Sequence, residues 1–201
     1  MDTIKHDGTY KSRLVCQGFS QVEGIDYFDT FSPVAKPTTV RMIFLIAAVY
    51  DMELDQDDVR AAYLNANMDV PIYMKQPKGY EKGNLVCKVT KALYGTKQAG
   101  RAWGRKFKAF LEKAGFQASV FDPCCFVKIC KGGLIIAVVW VDDVVSAYSK
   151  LCKKEYEDFR KLFRETFKLN ELGPVRDYLG MMVTQNRENY ELQFSCSDNV
   201  N

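Results

Sequence analysis

The segment AVVWVDDVVSAY, residues 137–148, limits the possible folds of this chain more than any other stretch. Two apolar runs flank two adjacent acids, a pattern that predicts two antiparallel strands with Asp142 and Asp143 at the tip of the hairpin. Two-residue hairpin loops favour Asn-Gly, Asp-Gly or Gly-Gly, because their backbone needs positive φ. Since turn geometry does not ask for two acids, we expect these carboxylates to serve another purpose.

A second pair of acids, Asp57 and Asp58, ends a predicted strand and immediately precedes a predicted helix. One interpretation is structural, because Asp is a common N-cap whose side chain accepts hydrogen bonds from the first helical N–H groups. The other interpretation is chemical, because Asp58 and the two hairpin acids together provide the hard oxygen ligands that Mg²⁺ prefers. Like charges packed this closely are unfavourable without a cation.

The run from Lys82 to Leu111 contains no acid. Tyr94, Trp103 and Phe107 are interleaved with its eight basic residues: Lys82, Lys88, Lys91, Lys97, Arg101, Arg105, Lys106 and Lys108. A solvated basic helix face is the ordinary interpretation of such a run. A track for a nucleic-acid backbone is the functional one. The formal net charge of +3 is too small to favour either.

The predicted elements favour an α+β fold. With 201 residues, 47% of them hydrophobic, the chain is long enough to bury a core. Strands are predicted over 10–19, 53–59, 72–80 and 84–89, hairpins over 137–148 and 178–195, and helices over 38–52 with Thr caps, over 60–68, from Arg101 and over 153–167. Strands and helices segregate without regular βαβ alternation, and the class is therefore α+β.

Cysteine usage and hydropathy exclude several protein classes. The seven cysteines form no CxxC pair, and the single histidine, His6, lies far from them in sequence, so neither a zinc site nor a disulfide framework is indicated. We expect reduced thiols and a cytoplasmic or nuclear rather than secreted protein. The longest apolar runs are far too short to span a bilayer, and no membrane partner is expected.

Six sequence blocks, in order, are similar to those of one known family. They are KSRLVCQGFSQVEGIDYFDTFSPVAKPTTVR (11–41), DVRAAYLN (58–65), IYMKQPKGY (72–80), LYGTKQAGRAW (93–103), WVDD (140–143) and LGPVRDYLGMMV (172–183). The family they resemble is the copia-type LTR retrotransposon reverse transcriptase, the RNA-directed DNA polymerase domain of a Pol polyprotein. The resemblance extends from about Gly8 to about Ser195, and six ordered blocks are far more specific than any single one.

The resemblance implies a catalytic site. The family's catalytic aspartates fall on Asp58, Asp142 and Asp143, which would bind two Mg²⁺ ions, with Mn²⁺ as a substitute. The backbone carbonyl of Val59 would add a metal ligand. By resemblance the chain is a nucleotidyltransferase that joins deoxynucleotides to a primer.

The resemblance also implies residues that meet the substrates. Nucleotide-binding candidates are Lys11, Arg13, Tyr63, Tyr94, Gly95 and Gln98. Nucleic-acid-binding candidates are Lys97, Arg101, Arg105 and Trp140. Glycine at position 95 would let the backbone approach a base pair closely. Tyr63 would pack under the nucleotide sugar, although a core aromatic at this position is the plain structural alternative.

The implied fold is the fingers and palm of a right-hand polymerase, with packed helices on an antiparallel palm sheet and the thumb largely missing. Residues 1–36 and 67–97 would be fingers-like, and residues 37–66 and 98–195 palm-like, within one incomplete domain over 1–201. Expected partners are an RNA or DNA template-primer and deoxynucleoside triphosphates. RNase H and integrase regions belong to the family's polyprotein and have no counterpart here. The oligomeric state stays open.

Three functions are compatible with these residues. The first is template-directed DNA synthesis in retrotransposon replication, within cytoplasmic virus-like particles or the nucleus. The second is a truncated, non-catalytic relic that keeps the fold and at most binds nucleic acid. A metal-dependent nuclease is the third, and it is disfavoured because the hairpin acids follow a nucleotide-pocket block.

Overall fold

The computed structural model describes residues 2–4, 8, 10–186, 189 and 191–196, without the side chains of residues 2–4, 11 and 196. Its α-helices are α1 (Pro37–Val49), α2 (Ala99–Lys113) and α3 (Lys153–Thr166), and its 3₁₀ turns are Gly18–Ser20, Ala62–Asn65 and Lys150–Cys152. The strands are β1 (Asp2–Ile4), β2 (Tyr10–Ser12), β3 (Glu53–Val59), β4 (Asn67–Lys75), β5 (Val86–Lys91), β6 (Gln117–Ala118), β7 (Cys125–Cys130), β8 (Gly133–Trp140), β9 (Asp143–Tyr148), β10 (Leu169–Pro174), β11 (Asp177–Tyr178), β12 (Met181–Asn186) and β13 (Glu191–Cys196).

The chain divides into two compact units. Unit 1 comprises residues 1–32 and 61–107, and unit 2 comprises residues 33–60 and 108–201. Unit 1 contains the two-stranded sheets β1-β2 and β4-β5. Unit 2 contains a six-stranded sheet of order β10-β3-β9-β8-β7-β6 and a three-stranded sheet β11-β12-β13. Every pairing between these strands is antiparallel, which confirms the α+β class.

One face of the six-stranded sheet packs on α1 and the three-stranded sheet. Buried side chains of α1, including Phe44 and Ala47, meet Val145 and Ala147 of β9 and Tyr178 of β11 in one apolar cluster. Although its sequence is apolar all round, α1 is covered on one side only, since Met42, Leu45 and Val49 are 59%, 62% and 60% exposed. This cluster anchors the central strands of the sheet.

The opposite face of this sheet packs on α3. Tyr148 of β9 stacks on Tyr156 of α3 with ring centroids 3.8 Å apart. Farther along α3, Phe159 and Phe163 contact Phe110, with centroids 6.1 and 5.4 Å away. Aromatic pairs add about 0.5–1.5 kcal/mol beyond the area they bury. Because both faces are covered, β8 and β9 are buried along most of their length.

Several local predictions were wrong. The strand expected over 72–80 overlaps β4 only over residues 72–75. The strand expected over 10–19 covers only Tyr10–Ser12, and the helix expected over 60–68 is a 3₁₀ turn followed by β4. Helix α1 begins at Pro37 without a side-chain cap. Thr39 instead donates its hydroxyl to Asp122, 2.6 Å away, and thereby ties the helix start to the loop before β7.

Asp122 is the acceptor at which this loop and the helix start meet. Burial alone would raise the pKa of Asp122, but hydrogen bonds from Thr39 and from the backbone N–H groups of Lys36 and Cys124 lower it. The charged carboxylate therefore stabilises the start of α1.

The helices of the described residues include none with the length and hydropathy that a membrane span requires.

Candidate active site

Four side chains form a row across the six-stranded sheet. Asp58 of β3 pairs with Asp143 of β9 on one side and with Asn170 of β10 on the other, and Trp140 of β8 pairs with Asp143. Directly opposite residues of antiparallel strands point to the same face. We call Asn170, Asp58, Asp143 and Trp140 the carboxylate row.

The two acids of the row belong to the closer kind of antiparallel pair. The N–H of Val59 donates to the carbonyl of Asp142 at 2.8 Å. This bond makes Asp58 and Asp143 a non-hydrogen-bonded pair, for which Cβ atoms are about 4.5–5.5 Å apart. The same bond brings Asp142 and Val59 to the edge of the row, so the sheet places all four predicted metal-binding residues in one neighbourhood.

The hairpin turn lies one residue earlier than predicted. Strand β8 ends at Trp140 and β9 begins at Asp143, so the loop is Val141 and Asp142 rather than the two aspartates. Val141 has φ +58°, a left-handed conformation that is costly for a β-branched residue. Asp143 is therefore held rigidly by a strand, whereas Asp142 belongs to the strained turn.

The carboxylates of the row influence one another. Burial raises the pKa of Asp143, the charges of Asp142 and Asp58 raise it further, and a hydrogen bond from Gln56 partly opposes this shift. Tyr178 is 1% exposed, and its buried hydroxyl has no hydrogen-bond partner among the described atoms. Burial raises the pKa of Tyr178, and the neighbouring Asp143 charge adds to it.

Asn170 and Gln56 were not predicted from the sequence. The Asn170 amide donates to Asp58 Oδ2 at 2.6 Å, and Gln56 is a buried residue two positions before Asp58 on the same strand face. Neither residue has a signal of its own in the sequence, since Asn170 reaches Asp58 only through the pairing of two distant strands. Their hydrogen bonds hold the carboxylates in defined orientations.

Asp57 lies on the opposite face of the sheet. Its carboxylate is 1% exposed and its Oδ2 lies 3.0 Å from Nη1 of Arg160. Burial raises the pKa of Asp57 to about 6 despite the attraction of Arg160. The N-cap interpretation of Asp57 and Asp58 is wrong, because the next helical turn starts at Ala62 and has no side-chain cap.

The residues of the row fit a divalent cation by chemical type. Among the described residues, no three His, Cys, Asp or Glu side chains already converge as a metal cage. Mg²⁺ does not require such a cage, since it binds through one or two carboxylates and completes its shell with water and substrate phosphates. The mutual repulsion that raises the pKa of Asp143 is the strain that a cation at this position would relieve.

Three of the predicted nucleotide-binding residues cluster in unit 1. The rings of Tyr63 and Tyr94 lie 4.5 Å apart between centroids, and the guanidinium of Arg13 lies 5.2 Å from the centre of the Tyr94 ring. The side chain of Lys11 lies outside the described part of the structure. The two rings are tilted by 47°, and a cation beside such an aromatic pair is a suitable surface for a phosphate and a sugar or base.

Gly95 is required by the protein's own backbone. It has φ +87°, and a Cβ built at this position would lie 2.1 Å from the carbonyl oxygen of Cys16. A Cβ built at Gly18 would lie 1.8 Å from the carbonyl oxygen of Gly95, so a side chain is excluded there as well. The close approach expected at Gly95 therefore exists, but its partner in the structure is the segment Cys16–Gly18.

Gln98 is buried inside unit 1 with 1% exposure. Its Nε2 donates to the Asp26 carbonyl at 2.8 Å, and its Oε1 accepts from Gln21 at 3.0 Å. The side chain thereby ties the loop over 21–26 to the start of α2. Direct contact of Gln98 with a nucleotide stays a prediction.

The predicted nucleic-acid-binding cations differ in their surroundings. Arg101 forms an ion pair with Asp29 at 2.6 Å, and the Lys97 ammonium lies 5.3 Å from the centre of the Tyr27 ring. Arg105 is exposed on α2. Trp140 is half-buried, packs against the apolar cluster of unit 2 and is a member of the carboxylate row.

Comparison with known proteins gives consistent matches over most of the chain. A family model described as "Reverse transcriptase (RNA-dependent DNA polymerase)" matches residues 1–198. The "Retrovirus-related Pol polyprotein from transposon TNT 1-94" of Nicotiana tabacum is 38% identical over 203 residues, covering 96% of this chain and 15% of that polyprotein. The Pol polyprotein from transposon RE1 of Arabidopsis thaliana is 40% identical over 139 residues, covering 68% of this chain and 10% of its own length.

A relative of lower sequence identity is also a polyprotein of a transposon, and it matches most of this chain. The "Transposon Ty1-ER2 Gag-Pol polyprotein" of Saccharomyces cerevisiae is 27% identical over 201 residues, covering 92% of this chain and 11% of the polyprotein. The chain thus spans between 10% and 15% of the length of these three relatives.

Proposed function

The chain belongs to the reverse transcriptase family of RNA-dependent DNA polymerases, and on that premise we propose that it performs template-directed DNA synthesis by metal-assisted nucleotidyl transfer. One observation carries this proposal. Asp58 and Asp143 are directly opposed on neighbouring strands, with Asp142 in the adjoining turn. Such a group of carboxylates is unfavourable in an apo protein and useful beside a triphosphate.

In this proposal, Asp58, Asp142, Asp143 and the carbonyl of Val59 hold two Mg²⁺ ions, for which Mn²⁺ can substitute. Bound divalent ions neutralise phosphate charge and position the attacking 3′-hydroxyl and the leaving pyrophosphate. The protein's own contribution is to hold the carboxylates on strands whose backbone is buried and hydrogen-bonded. Rigid placement of this kind lowers the entropic cost of aligning the two substrates.

Unit 1 supplies the proposed contacts to the nucleotide. Arg13 and the adjacent rings of Tyr63 and Tyr94 offer a cation and an aromatic surface, and Gly95 and Gln98 support the loop beside them. Among the basic residues, Lys97, Arg101 and Arg105 would follow the template-primer backbone, with Arg101 exchanging Asp29 for a phosphate. Trp140 would lie beside the primer end. Lys11 is proposed from resemblance alone.

The two units support a division into fingers-like and palm-like parts, with breaks after residues 32, 60 and 107. The names of the relatives describe Pol polyproteins, so we propose that the chain acts beside RNase H and integrase regions of a larger polyprotein, in cytoplasmic particles or the nucleus. The alternative, a relic that binds nucleic acid without catalysis, is favoured only by the strained Val141 turn and the bulky Trp140 beside the acids.

Primer extension on poly(rA)/oligo(dT) with Mg²⁺ separates the two functions. We expect deoxynucleotide incorporation by the wild-type chain, and a loss of at least about 100-fold in the Asp142→Asn variant, since the changed group acts on developing charge. Asp158→Asn, an exposed acid on α3, is the matched control and should extend the primer normally. Duplex binding by the wild-type chain without incorporation would establish the relic instead.

A further inference from the structure

We propose that Asn170 is a positioning residue that orients the Asp58 carboxylate toward a divalent cation. This inference rests on the proposed function, because it assigns Asp58 to metal binding. The Asn170 amide donates to Asp58 Oδ2 at 2.6 Å, a short and direct hydrogen bond. A carboxylate on a strand end rotates readily about its terminal torsion. The amide removes this freedom by binding one of the two carboxylate oxygens.

Strand pairing places Asn170 opposite Asp58 in advance of any ligand. The two residues are direct partners in the β10–β3 ladder, and Asp58 is also the direct partner of Asp143. Asp58 thus receives a hydrogen-bond donor from the edge strand on one side and faces a carboxylate on the other. This arrangement turns the Asp58 carboxylate into a defined ligand rather than a mobile one.

The opposite face of β10 explains how an exposed edge strand can hold Asn170 in place. Glu171, the next residue, points to the other face and accepts hydrogen bonds from Arg164 at 2.8 and 2.9 Å and from Arg160 at 2.5 Å. Both arginines belong to α3, which is packed on the sheet through its aromatic side chains. Two guanidinium groups therefore anchor the strand immediately beside Asn170.

A bulge strengthens this interpretation. The pairing of β10 with β3 shifts register between Glu171 and Gly173, so the regular ladder that includes Asn170 ends one residue farther along. Bulges at sheet edges commonly re-aim side chains next to active sites. Residues that orient a metal ligand typically change metal affinity about 10–100-fold when removed.

Mn²⁺ binding, measured by electron paramagnetic resonance on the full chain, tests the inference without requiring catalysis. We expect Asn170→Ala to weaken Mn²⁺ binding about 10-fold, while Asn170→Gln, which keeps an amide donor, stays close to wild type. Asn84→Ala, at an exposed turn of unit 1, is the matched control and should bind Mn²⁺ as wild type does. Urea unfolding midpoints should be equal in all four proteins, which excludes a merely structural effect.

The outcomes separate the inference from the proposed function. Equal Mn²⁺ affinity in wild type and Asn170→Ala, together with weakened binding in Asp58→Asn, would overturn the role of Asn170 and leave the proposed function intact. Failure of the wild-type chain to bind Mn²⁺ at Asp58 would overturn both. Weakened binding by Asn170→Gln equal to that of Asn170→Ala would show that the amide donor is not what matters, and would also overturn the inference.

Discussion

Asp57 and Asp58 are identical residues at adjacent positions, yet they lie on opposite faces of β3 in different surroundings. Asp57 faces α3, is buried and is paired with Arg160, which also reaches Glu171. Asp58 faces the other side of the sheet, where the Asn170 amide donates to it on one side and the Asp143 carboxylate lies opposite it on the other. We call the side of β3 on which Asp57 lies beside Arg160 the compensated face, and the side on which Asp58 lies opposite another carboxylate the uncompensated face.

One strand can therefore contribute to stability with the side chains on one face and to function with those on the other. Side chains of a strand alternate between two faces, so a shift of one position exchanges the environments completely. The compensated face holds α3 and β10 on β3. The uncompensated face keeps carboxylates ready for a ligand, at a cost in apo-protein stability that is common at functional sites.

The largest effect is expected on the compensated face. Arg160→Met removes the guanidinium nearest to the buried Asp57, and breaking a buried ion pair from one side typically costs about 3–5 kcal/mol. Urea unfolding at neutral pH measures this loss. The matched control is Arg164→Met, which removes an arginine that is half-exposed and should cost less than about 1 kcal/mol. Equal losses of unfolding free energy in the two variants would show that the buried Asp57–Arg160 ion pair is not what stabilises this face.

The uncompensated face should respond in the opposite direction. Asp143→Asn removes one charge from the row, and relief of like-charge repulsion across strands should raise the free energy of unfolding by about 0.5–1 kcal/mol in metal-free buffer. The same substitution should abolish primer extension. A destabilised Asp143→Asn variant would contradict the assignment of this face as strained, provided that Asp158→Asn unfolds as wild type does.

The pH dependence of the unfolding free energy tests the ion pairs of Glu171 on the compensated face. Hydrogen bonds from Arg164 and Arg160 outweigh partial burial and lower the pKa of Glu171 from 4.5 to about 2. Because the folded-state pKa is depressed, the stabilisation is complete above pH 4.5 and disappears as the pH falls toward about 2.

The matching variant is Glu171→Gln, compared with wild type by urea unfolding at each pH. Above pH 4.5 wild type should be more stable by about 1 kcal/mol, a value discounted because Glu171 is partly exposed and solvent-screened. The difference should shrink to zero in strong acid. A difference independent of pH would show that the ion pairs of Glu171 do not stabilise the fold.

The smallest effect is expected at the turn. Val141→Gly relieves the left-handed strain at φ +58°, worth about 1–2 kcal/mol for an L-residue. The greater flexibility of glycine in the unfolded chain opposes this gain by about 0.5–1 kcal/mol. We expect a net stabilisation of about 0.5 kcal/mol by urea unfolding. Destabilisation would indicate that the Val141 side chain contributes packing that outweighs its strained backbone.

Much of unit 2 could be predicted from local patterns. The strand Glu53–Val59 was predicted with its correct bounds, and the hairpin and α3 were found from their apolar runs and helical spacing. These elements have strong periodicity of their own. The helix expected over 60–68 did not form. Ala62–Asn65 make a 3₁₀ turn, and Asn67 and Met68 begin β4, whose pairing with the distant β5 outweighs local helix propensity.

The candidate site was predictable in part. The resemblance to copia-type reverse transcriptases, carried by six ordered blocks, is confirmed, and the roles of Asp58, Asp142 and Asp143 stay predictions that the geometry supports. Asn170 and Gln56 could not be found, since their contacts arise from strand register rather than from any motif. The different surroundings of Asp57 and Asp58 likewise could not be predicted, because they depend on which face of the sheet α3 covers.

The most direct test compares Asp57→Asn and Asp58→Asn in one primer-extension assay with Mg²⁺, with urea unfolding measured on both. The two substitutions are chemically identical and one residue apart. We predict that Asp58→Asn folds normally and loses incorporation by at least about 100-fold, whereas Asp57→Asn keeps incorporation wherever it remains folded. Equal incorporation by wild type and a folded Asp58→Asn variant would contradict the assignment of the carboxylate row as the catalytic site.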